Sequence, residues 1–398
     1  MKLNRTETQA VITVALIMAI RLMGIFLILP VFSVYTEKYP GADLGLAGVA
    51  FGVYALTQCG LQIPFGWASD RIGRKPILIT GLLLFTVGSV ICGMAENINQ
   101  LIFARIIQGS GAISSAAIAS LGDLTRPEVR AQSFTIVGIT IGAAFLIAII
   151  AGPLLAAEIG FSSLFYVLGG LGVLALLITI LFFPQIEHIE KEFDRESESR
   201  VLGFIRAPEM KKLLLAALMV SLSVNLFIFI YPISWTVLGV SEADLWRVYL
   251  IILIPAALLV FPYVRHAEKN GKLRTPTLAA WAFLALSFLI YPLGGTISWI
   301  LYAAGIAFFF GHTLFQSLLP AFLTQRVPQD MRGATTGVYN LSSFLGAAIG
   351  GMSAGYLYQL SPSLPLVFGL LLVVGWGFLG LPNPPADGVR SHTGSANL

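Results

Sequence analysis

The sequence predicts an all-α membrane protein of twelve transmembrane helices in two pseudo-symmetric six-helix bundles. Three observations point there. The 398 residues are 57% hydrophobic and only 11% charged, whereas soluble domains carry about 25% charged residues. The apolar residues gather into twelve runs, each near the ~20 residues that cross a bilayer as a helix. The longest polar stretch falls between the sixth run and the seventh, which divides the runs six and six.

Taken in order, the runs are 9–35, 45–67, 76–95, 99–121, 131–157, 162–184, 211–236, 245–264, 275–293, 297–323, 333–359 and 364–381. Prolines 30, 64, 153, 232, 255, 292 and 320 lie within them or near their ends. A helix bundle tolerates these because neighbouring groups re-satisfy the freed carbonyls. Residues 1–184 are expected to form an N-terminal six-helix bundle and 211–382 a C-terminal one. The segment 185–210 between them, with Glu187, His188, Glu190, Lys191 and Glu192, reads as a solvated linker. The last residues, 383–398, are rich in Pro, Gly and Ser and read as a disordered tail. No cleavable signal peptide is apparent, since Met1–Thr8 is short and polar and the first run is long enough to span.

Orientation follows from the loops. All but four of the 24 Lys and Arg fall on one side when both termini are counted there. The four are Lys38 and Arg247 on the other side and Arg21 and Arg105 inside runs. Basic loops stay in the cytoplasm, so both termini, the linker and the tail are expected there. The pI near 9.0 does not signal nucleic acid, because the basic residues sit in short loops without interleaved aromatics. The lipid bilayer is the expected surrounding.

Chemistry-bearing clusters are few. Cys59 and Cys92 fall inside runs and read as small buried hydrophobes. Of the four histidines, His188, His266 and His392 lie in loops or the tail and only His312 lies in a run. There is no His-Glu-x-x-His motif, no cysteine–histidine cluster and no phosphate-binding Gly-x-x-x-x-Gly-Lys loop. An enzyme, an ATP-driven pump, a cofactor and a metal are therefore not expected. A passive channel would need neither duplicated halves nor charged loops of the kind described next; saturable counterflow separates it from a transporter.

The most informative segment is Gly66-Trp67-Ala68-Ser69-Asp70-Arg71-Ile72-Gly73-Arg74-Lys75-Pro76, between the second run and the third. Asp70 and Arg74 place opposite charges four residues apart, Gly73 opens backbone angles closed to other residues, and Pro76 suits the first turn of a helix. A weaker echo, Ala267-Glu268-Lys269-Asn270-Gly271-Lys272, follows the eighth run. Glu128-Val129-Arg130 before the fifth run is likewise echoed by Asp330-Met331-Arg332 before the eleventh. Matching marks at matching points argue for a duplicated pair of halves.

Within the runs, Arg105, Gln108 and Gly109 share one helix face. Arg105 and Arg21 are costly in a bilayer unless they face a cavity or a partner. His312 has a side chain that titrates near neutral pH, though a lone helix histidine also serves simply in packing. Gln58, Gln62, Asn225, Tyr231, Gln316 and Asn340 read either as pore-lining groups or as interhelical hydrogen bonding. Gly346, Gly350, Gly351 and Gly355 bring a four-residue rhythm of small residues to the eleventh run. No Asp or Glu lies in the middle of any run, so the interior favours neutral or anionic solutes over strongly cationic ones.

The Gly66–Pro76 segment resembles the signature loop of the major facilitator superfamily. Arg105-x-x-Gln108-Gly109 resembles that family's second motif. Gly138, Gly142, Gly152 and Pro153 resemble the antiporter motif of its exporters, with Ala156 and Ala157 where a glycine pair is expected. Arg21-Leu22-Met23-Gly24, Leu29-Pro30-Val31 and Gln62-Ile63-Pro64-Phe65-Gly66 are similar to a bacterial group within the twelve-span drug:proton antiporter branch. The resemblance implies a monomeric, proton-coupled exporter of small molecules in a bacterial inner membrane, working by alternating access. It implies a conformational latch at Gly66, Asp70, Arg71, Gly73, Arg74 and Asp123, with Arg74 pairing to Asp123 and Asp70 facing amides near Gly333 at the start of the eleventh helix. It implies a proton or substrate pathway through Arg21, Arg105, Gln108, Asn225, His312 and Gln316. An uncoupled facilitator, or an exporter of a neutral or anionic metabolite such as a sugar, is the alternative. Some relatives of this kind add a soluble C-terminal domain, for which residues 383–398 are too few.

Overall fold

A computed structural model describes residues 3–184, 203–269, 273–295, 297–328 and 331–384. The linker residues 185–202, the tail from 385, residues 270–272 and Asp330 lie outside the described residues, so the two sequence echoes are only partly described. Among the described residues the chain is helical, with no strand. The helices are α1 (Arg5–Ile28), α2 (Phe32–Thr36), α3 (Leu44–Ile72), α4 (Arg74–Gly93), α5 (Ile98–Gly109), α6 (Ser114–Leu124), α7 (Pro127–Ile159), α8 (Phe161–Phe182), α9 (Pro208–Val237), α10 (Leu245–Lys269), α11 (Arg274–Ile290), α12 (Ser298–Arg326), α13 (Arg332–Leu360) and α14 (Leu364–Leu379). Among the described residues ten segments are long and apolar enough to cross a membrane, with α5 and α6 together forming one of them. The eleventh expected run is α13, 29 residues long and diluted by Gly, Ser and Thr. The twelfth is α14, whose 16 residues fall short of a full crossing.

Two expected helices are broken. The run 9–35 ends its first helix at Ile28 and resumes as α2, because Pro30 cannot donate to the helical ladder. Pro64, Pro153, Pro232 and Pro320 lie inside continuous helices, so proline alone does not dictate a break. The run 99–121 parts at Ser110–Ile113 into α5 and α6. There the chain passes so close to α4 that a β-carbon on Gly111 would lie 2.4 Å from the Gly81 carbonyl oxygen. The break leaves the Gly111 carbonyl available to a side chain.

Helix starts are set by side chains that satisfy the first free amides. Asn4 and Glu7 form a reciprocal capping box at 2.8 and 2.9 Å. Asp43 accepts from the Leu46 amide at 2.7 Å and Asn97 from the Gln100 amide at 3.0 Å.

The chain forms two compact units. Of the described residues, the first takes those within Met1–Phe193, Val224–Leu250 and Phe344–Pro365, and the second those within Asp194–Ser223, Ile251–Ser343 and Leu366–Leu398. In the first unit α1 packs along α7 and α8, α4 along α8 and α5, and α3 along α5. Its core gathers Val14, Ile17, Leu78, Leu82, Ile113 and Leu121. Lipid tails are as apolar as leucine, so close backbone approach and interhelical hydrogen bonds hold such a bundle. Gly152 is a case: a β-carbon there would fall 2.0 Å from the Leu27 carbonyl oxygen. In the second unit α11 packs on α12, with Ser287 Oγ donating to the Ala304 carbonyl at 2.8 Å. Trp281 Nε1 donates to the Val373 carbonyl at 2.7 Å and ties α14 to α11.

Candidate functional site: charged ends and a buried arginine pair

At the end of the first unit carrying the Gly66–Pro76 segment, Gly73 is the hinge between α3 and α4, with φ +105°. L-residues other than glycine rarely adopt that angle, and it lets α4 begin one residue after α3 stops. The reversal brings Arg74 back beneath Ser69 and Asp70. Arg74 Nη1 lies 2.6 Å from Asp70 Oδ1 and donates to Ser69 Oγ at 2.6 Å. Its Nε donates to Asp123 Oδ2, at the end of α6, at 3.0 Å. The Arg74 side chain is only 10% exposed, whereas Asp70 is 51% exposed. Arg74 is therefore the centre of the cluster, and its planar fork suits several acceptors at once. Arg71 instead stacks over Trp67, 4.0 Å from the ring centroid. Gly66 supplies the carbonyl that accepts from Ser69 Oγ at 2.8 Å. Gly333 belongs to the second unit, and the expected approach of Asp70 to its amides remains a proposal.

Deeper in the first unit, Arg105 and Arg21 are both buried. Arg105 donates to Gln108 Oε1 at 2.6 Å and to the Ala50 carbonyl at 3.2 Å. Gln108 in turn donates to Ser89 Oγ at 2.8 Å. The Arg105 guanidinium also lies over the rings of Tyr54 and Phe32, 4.5 and 5.2 Å from their centroids. Arg21 donates to Ser114 Oγ at 2.7 Å and to the Gly111 carbonyl at 2.8 Å, the carbonyl freed by the α5–α6 break. The Tyr54 hydroxyl lies beside Arg21 and accepts from Gln58 Nε2 at 2.8 Å. Tyr54 thus stands between two buried cations. Every carboxylate among the described residues lies outside helices or within three residues of a helix end, so neither arginine has an acid partner at depth.

The remaining pathway candidates are not gathered in this cluster. His312 and Gln316 lie on α12 in the second unit, with His312 Nε2 and Gln316 Nε2 3.3 Å apart and the imidazole stacked on Phe308. Asn225, on α9 in the first unit, is half-buried. The glycines of α7 divide. Gly152 packs against α1, with Pro153 buried beside it, whereas Gly138 and Gly142 have open space where a β-carbon would stand.

Some contacts were not anticipated from the sequence. At the opposite end of the first unit Lys38 pairs with Glu242, and Gln359 Nε2 donates to Asp43 Oδ2 at 3.3 Å. Behind them α3 and α13 meet through Gly48, Gly52, Gly351 and Gly355, where a β-carbon on Gly48 would lie 2.9 Å from the Gly351 carbonyl oxygen. The four-residue glycine spacing of α13 was the available signal, and Gly48 and Gly52 repeat that spacing on α3. Lys75 Nζ, also unassigned from sequence, donates to the Ile180 carbonyl at 2.9 Å near the end of α8.

Comparison with known proteins places this geometry in a family. The Major Facilitator Superfamily model matches residues 14–351. The inner membrane transport protein YajR of Escherichia coli strain K12 is 32% identical over 360 residues, covering 89% of this chain and 79% of that protein. The multidrug resistance protein MdtH of Salmonella arizonae is 24% identical over 394 residues, covering 94% of each. The crystal structure of the nucleoside transporter NupG superposes with a TM-score of 0.73 at 10% identity, covering 93% of this chain and all of that one, and so speaks for the fold. These relatives are transporters and not enzymes. The chain belongs to the major facilitator superfamily, as a YajR-like bacterial membrane transporter.

Proposed function

We propose that the chain is a secondary active transporter that exports small molecules from the bacterial cytoplasm by alternating access, in exchange for protons. The two moving parts are the halves 1–184 and 211–382, with both termini cytoplasmic, and the protein works as a monomer. The observation that carries this reading is the Arg74 cluster, in which one nearly buried guanidinium holds Ser69, Asp70 and Asp123 across three helices. Such a cluster is a rigid body with one exposed carboxylate, Asp70, left to engage a partner during the cycle. At the other end, Lys38–Glu242, Asp43–Gln359 and the glycine seam of α3 and α13 form a closure that must separate when solute leaves on that side. The likeness to MdtH supports multidrug export. The absence of a carboxylate deep in any described helix favours a second reading, a facilitator or exporter of a neutral or anionic metabolite.

Proteoliposomes under an imposed pH gradient, given neutral, anionic and cationic solutes, test both readings. Gradient-dependent flux lost in Asp70→Asn supports proton antiport through this loop. Saturable flux indifferent to the gradient supports the facilitator. Flux that neither saturates nor shows counterflow removes the transporter reading.

A further inference from the structure

Of the two buried arginines of the first unit, Arg105 donates from both Nε and Nη1, whereas Arg21 leaves its Nε orphaned. Arg21 is 1% exposed, and its Nε has no acceptor. Three more orphaned polar atoms lie on α3: Gln58 Oε1 and both amide atoms of Gln62, side chains that are also almost wholly buried. Gln58 reaches Arg21 through the shared Tyr54 hydroxyl. Gln62 stands one turn further along α3, where its backbone carbonyl accepts from Ser115, the neighbour of the Arg21 partner Ser114. The orphans therefore lie on the elements that form the wedge where α1 and α3 both pack on α6.

Such a wedge is costly as a purely structural feature. A buried polar atom without a hydrogen bond is unfavourable, and an isolated buried charge is worse. Enclosed water would satisfy the amides but would leave the cation uncompensated. No carboxylate of the described first unit lies at this depth to neutralise it. An anion answers the charge and the two orphaned donors: it accepts from Arg21 Nε and Gln62 Nε2, and a guanidinium fork matches planar carboxylate or phosphate oxygens. The orphaned acceptors Gln58 Oε1 and Gln62 Oε1 are met by a hydroxyl of the same solute or by water that enters with it.

We propose that the wedge lined by Arg21, Gln58, Gln62 and Ser114 binds the anionic group, a carboxylate or phosphate, of the transported solute. Arg21 is its counter-ion, Ser114 and the Gly111 carbonyl hold the guanidinium in place, and the glutamines supply the directional contacts. The site is sealed as seen here, and solute reaches it when α1 moves against α6 during the cycle. The proposal rests on the transporter reading and narrows it to an anionic solute.

The test is ligand-dependent thermal unfolding of the purified full chain in detergent. The probes are inorganic phosphate, benzoate, succinate and glucose 6-phosphate, with benzamide and glucose as neutral counterparts. At least one anion is expected to raise the melting temperature while its neutral counterpart does not, with weaker binding at high salt. Gln62→Leu is expected to weaken that binding about tenfold, as loss of one hydrogen bond to a charged group does. Arg21→Gln should abolish it, and Arg21→Lys, which keeps the charge without the fork, should retain part of it. If Arg21→Gln does not fold, the Gln62→Leu and Arg21→Lys pair decides. Absence of a shift with every anion, or a shift untouched by these variants, overturns the proposal. Flux of a neutral or cationic solute that is indifferent to Arg21→Lys would sink the anion site and keep the transporter. Anion binding without any proteoliposome flux would do the reverse.

Discussion

Gly48 on α3 and Gly355 on α13 meet backbone to backbone: a β-carbon on Gly355 would lie 2.8 Å from Gly48 Cα and 2.1 Å from the Leu44 carbonyl oxygen. The obstacle is main chain, which cannot rotate aside. Gly355→Leu should therefore force the two helices apart at this end. Overpacking of this kind costs about 2 kcal/mol, enough to lower the closed population by more than about tenfold. The Asp43–Gln359 hydrogen bond provides the readout. An Asp43→Cys, Gln359→Cys pair should cross-link readily in the parent chain and at least about tenfold more slowly beside Gly355→Leu. Unchanged cross-linking would show that the seam does not control closure.

Lys38 and Glu242 pair at the same end of the first unit, with side chains 57% and 27% exposed. Exposed pairs of this kind contribute about 0.2–1 kcal/mol and are screened by salt. Reversing one partner, as Lys38→Glu, places like charges face to face; reversing both restores attraction. Cross-linking yield in the same cysteine background should fall in each single reversal and recover in the double, with the difference vanishing at high salt. A double reversal no better than the singles would remove this pair from the closure.

Arg74 is a different case because it is nearly buried and has three acceptors. Asp123→Asn keeps the shape and removes one charge-assisted hydrogen bond, a loss of about 1.5–3 kcal/mol. Arg74→Lys keeps the charge, but one ammonium cannot reproduce a fork that spans α3 and α6. Both should lower the melting temperature, Arg74→Lys the more. Asp70→Asn should lower it least, because Asp70 is half-exposed; its effect belongs in the pH-gradient flux. Equal stability losses at Asp70 and Asp123 would contradict this division of roles.

The parts of the molecule that the sequence made legible are those with a local signal. Long apolar runs located the helices, and the charged, glycine-broken Gly66–Pro76 segment located the tight turn at Gly73. The breaks in the first and fourth runs were not anticipated. Pro30 has the same local signature as Pro64, which stays inside a helix, and Ser110–Ile113 parts where α4 comes close, a tertiary condition. Lys38–Glu242 was out of reach because nothing local links a lysine to a glutamate 204 residues away. Tyr54 reads as one more apolar aromatic until two arginines are seen on either side of it. The orphaned atoms of Gln62 likewise exist only in three dimensions: its sequence reading left pore lining and interhelical bonding equally open.

The glycines of α7 offer a separation of packing from motion. Gly152 has the Leu27 carbonyl oxygen 2.0 Å from where a β-carbon would stand, whereas Gly138 and Gly142 have nothing within 4 Å. Gly152→Ala must therefore displace α1 from α7, and the melting temperature should drop by the equivalent of about 1–3 kcal/mol. Gly138→Ala and Gly142→Ala meet no atom, and alanine is the better helix former by about 1 kcal/mol. These two variants should be as stable as the parent or slightly more so. If the open face of α7 is approached by another helix during the transport cycle, the same two variants should still slow flux several-fold, because the added methyls collide only in that other state. Melting temperature and proteoliposome flux measured on all three variants separate the cases. Loss of flux without loss of stability at Gly138 and Gly142 makes this face a moving contact. Parent-like flux in both would make the α7 glycines matter only at Gly152, where they hold α1 in place.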